Sequence, residues 1–222
     1  DRGSYQRLMK PLSEDWEKIM AEFLGPFPFP PRHPLTAVRF GVDAIWPATW
    51  FGAMRFRDEP ARALFAGLAA HAIQPLENII TTSFALMEGL VAHALGWPLV
   101  RGGTANVSRA LGETLLALGG EIATGWEVKS LSELPAARTV LLDLTPRQVI
   151  EMCGERLPLR YREQLRRYRY GPGVYKVDYA LNAPIPWRDP AVSTAATVHV
   201  GGTLDEIASG ERMVSKGEHP ER

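Results

Sequence analysis

The sequence predicts a chain of mixed class, part α/β and part α+β, in three stretches: helices over residues 1–97, a helix followed by two strands over 98–150, and a sheet-containing block over 151–222. Three observations predict it. Apolar residues recur at three- and four-residue steps through residues 1–97, the period of a helix with one buried face. Between Gly102-Gly103 and Gly119-Gly120 one such run is bounded by glycine at both ends, and two β-patterned runs come after it. Beyond residue 170 the alternation changes to period two, the mark of a half-buried strand.

Ser13 is placed to cap a helix with Glu14 and Asp15 in its first turn, where acidic groups suit the dipole. Trp16, Ile19, Met20, Phe23 and Leu24 make its apolar face, and Gly25-Pro26 ends it. Phe27 to Pro34 reads as a rigid, extended, proline-rich connector, with Phe27 and Phe29 offering aromatic contacts. Leu35 to Phe56 is helical in pieces, broken at Trp46-Pro47, because proline lacks the N–H an interior turn needs. Asp58 caps the next helix, whose Ala61, Leu64, Phe65 and Leu68 face inward. Gln74-Pro75 opens a long helix with the stripe Leu76, Ile79, Ile80, Phe84, Met87, Leu90, Val91 and Ala94, closed by Gly96.

In the middle stretch Gly102 and Gly103 supply a tight turn, and Thr104 or Asn106 can cap the helix after it. Val107, Ala110, Leu111, Thr114, Leu115 and Leu118 form one buried face, and Gly119-Gly120 stops the helix. Ile122, Thr124, Trp126 and Val128 alternate as a strand with one buried face. Val140, Leu141, Leu142 and Leu144 form a nearly unbroken apolar run, as in a strand covered on both sides. Thr145-Pro146 ends it and starts a short helix to Cys153; a basic, aromatic helix covers Leu159 to Tyr168. Residues 174–181 and Ala195 to Val200 read as strands around a proline loop at Trp187. Thr203 caps a last short helix through Ala208, and Lys216 to Arg222 reads as a loop.

Composition narrows the function classes. The formal charge is zero, from 25 basic and 25 acidic residues. A dedicated nucleic-acid binder needs a basic excess, so none is expected. The single cysteine, Cys153, excludes an internal disulfide and points to a reducing, cytoplasmic setting. The apolar stretch from Pro75 to Leu95 carries Glu77, Glu88 and His93, charges too costly for an integral membrane segment. The chain opens on Asp1-Arg2-Gly3-Ser4, which is read as the start of an interior portion of a longer protein.

A glycine turn, an amphipathic helix and two β-segments are part of an α/β nucleotide-binding unit, although Gly-x-Gly-x-x-Gly occurs nowhere in the chain. The run GWPLVRGGTANVSRALGETLLALGGEIATGWEV resembles the central segment of the phytoene-desaturase-like flavoproteins, relatives of the amine oxidases. Pro98, Gly102, Gly103, Gly119, Gly120, Ile122, Glu127 and Val128 carry the resemblance. It implies a partial Rossmann-like, FAD-binding unit interleaved with a helical plus mixed-sheet substrate domain. It implies that the main chain of Val128 lies against the adenine of FAD and that Thr145-Pro146 passes near the dinucleotide. Gly102 and Gly103 join these as cofactor-binding residues. The implied parent is an FAD-dependent oxidoreductase of dehydrogenase or desaturase type acting on a small apolar substrate. The present chain, without a pyrophosphate loop, is expected to be inactive alone. A flavin-free binding or assembly module and a redox-neutral flavin isomerase are the alternatives.

No catalytic side chain is assigned, since in such enzymes the flavin carries the hydride chemistry. Trp46, Trp50, Trp97 and Tyr175 could line an apolar substrate cavity, with Phe51 and Trp187 as further aromatic candidates. The five histidines lack metal-ligand spacing, and Cys153 lacks a neighbouring His. The arginine- and tyrosine-rich run 156–170 reads as a solvated helix face, and Gly201-Gly202-Thr203 as a capping loop.

Overall fold

The computed structural model describes residues 1–26 and 28–220. Among them ten α-helices run in the order α1 (Arg2–Glu14), α2 (Trp16–Phe23), α3 (Pro34–Ala44), α4 (Ala48–Arg55), α5 (Glu59–Ala69), α6 (Thr81–Ala94), α7 (Ala105–Ala117), α8 (Pro146–Cys153), α9 (Leu159–Arg166) and α10 (Leu204–Ser215). Among the described residues there is no strand and no sheet. The expected Rossmann-like unit and mixed-sheet block are therefore corrected: the fold is helical. Ile122–Val128, Val140–Leu144, 174–181 and 195–200 form no ladder with one another or with any other described residues. Period-two patterning reports a backbone that can be extended. A sheet also needs a neighbour at hydrogen-bonding distance, and pattern alone does not supply one.

The chain divides into two compact units. One comprises Asp1–Leu99 with Pro172–Arg222, the other Val100–Gly171. In the first, α6 packs against α1, α3 and α5, while α10 returns from far along the chain to pack on α5 and α4. Leu86 and Leu90 of α6, Phe51 of α4, Phe65 of α5 and Phe56 between them are fully or almost fully buried. Phe65 stacks on Phe51 at 5.5 Å and tilts against Phe56 at 5.7 Å. Each such ring contributes about 1.5–3 kcal/mol by leaving water, several times what an exposed pair such as Lys10–Glu14 is worth. A Cβ on Gly89 of α6 would sit 2.6 Å from Met9 Cε, so glycine leaves room for the end of the Met9 side chain at the α1–α6 contact.

Several boundaries differ from expectation for local reasons. Ser13 is not a cap. It lies inside α1, where its Oγ donates to Met9 O at 3.0 Å, and Asp15 is the residue before α2. The long helix begins at Thr81, not Pro75, because Ile80 adopts φ 73° and breaks the run. Leu76 is then fully buried, while Ile79 and Ile80 stand exposed. Leu64, expected inside, is exposed. Of the aromatic connector, Phe27 lies outside the described residues, and Phe29 is exposed. The break at Trp46-Pro47 and the capping of α10 by Thr203 agree with expectation; α10 runs on to Ser215, with a capping box from Thr203 and Glu206. The expected terminal loop is irregular over 216–220 apart from a turn, and its last two residues lie outside the described residues.

The second unit is built differently. α7 ends where glycine is expected to end it: Gly119 has φ 83°, Gly120 N donates to Leu115 O and Gly119 N to Leu116 O, the paired bonds of a Schellman stop. Its apolar face is exposed, however. Val107, Leu111, Leu115 and Leu118 all face water, which corrects the expected buried face. Between Val100 and Gly171 the one buried side chain among the described residues is Cys153. α8 and α9 pack together, and Gln148 of α8 accepts from Thr145 N at 3.0 Å in a capping box.

Candidate functional site

Two apolar depressions mark the helical body. The larger, about 1140 Å³, lies along α1 and the start of α5 and reaches the end of α6. α1 turns Tyr5 and Met9 toward it, α5 contributes Pro60, Ala61 and Leu64, and α6 contributes His93. Tyr5 Oη and His93 Nε2 are hydrogen-bonded at 2.9 Å, with the rings edge to face at 5.6 Å. Burial pushes the Tyr5 hydroxyl above its ordinary range. The groove's exposed surface is mostly apolar, but besides the tyrosine–histidine pair its lining includes Asp1, Arg2, Gln6, Lys10, Ser13, Glu14 and Asp58, a composition suited to a molecule with an apolar body and a polar end. The second depression, about 400 Å³, is lined by Phe23, Phe40, Ala44, Ile45, Phe84 and Met87 among others. Phe23 and Phe40 rings meet at 4.7 Å in its lining.

Of the four aromatics expected to line a substrate cavity, Trp46 and Trp50 come together, their rings 4.5 Å apart and partly exposed. Trp97 and Tyr175 are both exposed and line neither depression. Phe51 belongs to the core. The groove residues Tyr5, Met9 and His93 escape a reading of the sequence because they come from helices distant along the chain. The signal available is the i, i+4 spacing of Tyr5 and Met9 on one helix face.

The expected cofactor residues all lie in the second unit. Gly102 and Gly103 have φ 78° and 94°, a turn that side-chain-bearing residues rarely adopt, and Asn106 Nδ2 donates to Arg101 O at 2.7 Å across it. Val128 is half-buried at the end of the run 122–128, which pairs with no strand among the described residues. Thr145 and Pro146 start α8. There the Arg147 N–H, one of the free donors at a helix start, already donates to Tyr170 Oη at 3.1 Å. Arg147 lies over the Tyr170 ring at 5.5 Å. A side-chain hydrogen bond with Thr145 and the Arg147 backbone bond together lower the Tyr170 hydroxyl below its usual value.

The remaining candidates stay apart. His71 and His199 rings meet at 5.0 Å, but among the described residues no three His, Cys, Asp or Glu side chains are grouped to hold a metal. Cys153 is buried as a free thiol. No helix among the described residues is long and apolar enough to cross a membrane. No family model, curated protein or solved structure matches the chain.

Proposed function

We propose that this chain is a portion of an FAD-dependent oxidoreductase acting on a small apolar substrate. In this reading the helical body holds the substrate in the groove beside Tyr5 and His93, and the unit around α7 serves the cofactor. One observation carries it. The sequence that resembles the flavoproteins folds as a glycine turn, a helix and a glycine stop, with the helix's apolar face uncovered. A helix of that kind needs another surface, as a segment completed by the rest of a cofactor site would. The apolar groove supports the substrate side.

The test is a flavin absorbance spectrum of the protein encoded by the complete reading frame that contains this chain. It is expected to carry FAD at one per chain, with Gly103→Val lowering the occupancy by straining the turn. The 222-residue chain alone is expected to carry none. A full-length product free of flavin would overturn the reading.

A flavin-free binding module is the second reading. It is favoured by Tyr170 already occupying the α8 start and by the lack of strand pairing at Val128 among the described residues. A flavin-free product that still binds an apolar dye such as Nile red, and loses it on Leu64→Asp, would select this second reading. A redox-neutral isomerase separates from a dehydrogenase by the hydrogen count of the product.

A further inference from the structure

We propose that residues 174–181 are a docking strand for a second copy of this chain, the two segments pairing antiparallel about a two-fold axis at Val177. This inference does not rest on the flavin reading.

The first observation is free backbone. Residues 171–181 run without helix, turn or bend, and among the described residues none of their N–H or C=O groups takes part in a hydrogen bond. A run of this kind can pair along its edge with another extended chain. Its side chains are equally unattached: Val174, Tyr175 and Tyr179 are exposed at 88%, 92% and 78%, and Val177 and Leu181 also face water. β-Branched and aromatic residues are the ones that gain most from cross-strand neighbours. The run has matched ends. Pro172, five residues before Val177, has no N–H to give, and the bend at 182–183 begins five residues after it.

The second observation selects the partner. Folded back on itself at Val177, the run Val174-Tyr175-Lys176-Val177-Asp178-Tyr179-Ala180 is its own complement. In an antiparallel pair, positions equally far from Val177 face each other across the axis. Lys176 of each copy then faces the partner's Asp178, Tyr175 faces the partner's Tyr179, and Val177 faces the partner's Val177. Alternate residues share a face, so the tyrosine pairs flank the valine pair on one side and the charges lie together on the other. Within one copy Lys176 Nζ already reaches Asp178 Oδ1 at 2.8 Å, which places both groups on one face. Pairing sets two such couples side by side with alternating sign. Exposed ion pairs add little affinity, but they fix register and direction. A parallel in-register pair would put lysine against lysine and aspartate against aspartate, and an antiparallel slip of one residue would put Asp178 against valine. The other β-patterned runs lack this property. Residues 140–144 would set Leu141 against Asp143, 195–200 carries no Lys, Arg, Asp or Glu, and 122–128 bends at its centre, Gly125, with φ 73°. A two-fold contact of this kind closes on itself and yields a dimer.

Two strands alone make a marginal contact, so association is expected in the micromolar range or weaker, read by sedimentation equilibrium of the 222-residue chain. The weight-average mass should rise from monomer toward dimer with concentration. Lys176→Glu and Asp178→Lys should each weaken association about tenfold or more, because the two-fold axis repeats every like-charge contact. An equimolar mixture of the two variants should associate like the parent, since each supplies the charge the other lacks. Both side chains are exposed, so thermal melts of the dilute variants should match the parent. Hydrogen exchange is expected to be fast at 174–181 in dilute chain and to slow there alone as concentration rises, with 122–128 and 140–144 staying fast. Three results would overturn the proposal: no association up to about 1 mM chain, association that either charge variant leaves unchanged, or a mixture of the two variants that stays monomeric.

Discussion

Single side chains decide how the helices of the body are seated, and most of them leave no mark in the sequence. Glu22 is fully buried; its Oε1 accepts from His33 N at 2.5 Å at the start of α3, where a carboxylate also meets the positive end of the helix. Glu22→Ala should cost about 1–3 kcal/mol in urea unfolding, the usual loss when a buried donor is left unpaired, whereas Glu22→Gln, which keeps the acceptor, should cost less. Thr81 plays a similar part. Its hydroxyl accepts from Ala48 N at 2.9 Å, satisfying a free N–H of α4, which has no side-chain cap of its own. Thr81→Val should destabilise by about 1–3 kcal/mol on the same principle. Neither contact has a sequence signature, because the pairs lie 11 and 33 positions apart with no motif between them.

Asp43 makes stability depend on pH. Burial raises its carboxyl above the ordinary value of 3.8, against the lowering effect of Arg55 and Arg39. A carboxyl raised in the folded state favours folding when protonated. That contribution is full below the unfolded value and is lost as pH climbs through the folded one. Asp43→Asn should therefore raise the thermal midpoint at neutral pH. The gain should shrink as the pH falls through the raised folded value toward the ordinary one, which a series of melts at descending pH would follow. An equal gain at every pH would contradict the assignment.

At the scale of elements, helix stops and caps are the most legible features. Gly119, Thr203 and the break at Trp46-Pro47 act through backbone chemistry confined to a few residues, so local sequence is enough. Thr203→Ala should cost about 1 kcal/mol by removing the α10 cap, read as a lower midpoint in denaturant. Gly89→Val should cost more, about 1–3 kcal/mol, since its side chain would press on Met9 at the α1–α6 contact. The expected strands fail because Ile122–Val128 and Val140–Leu144 have β composition without partners among the described residues. The groove is hidden for the reverse reason: Tyr5, Leu64 and His93 line it together through packing of three helices that no local pattern encodes. The α7 turn and stop are legible while its exposure is not, since periodicity marks an apolar face without saying what lies on it.

Across the whole molecule, stability is unevenly distributed. Among the described residues the helical body contains all but one of the buried side chains, and Val100–Gly171 contains only Cys153. A stretch with so little burial cannot offset the entropy of ordering its backbone from within. It should open at lower denaturant than the body does.

Hydrogen–deuterium exchange by mass spectrometry on the 222-residue chain tests this division most directly. Slow exchange is expected in α5, α6 and α10, and fast exchange in peptides covering 122–128, 140–144 and 174–181, whose amides have no ladder partner among the described residues. Slow exchange in those three peptides would mean a sheet is present and would contradict the helical fold.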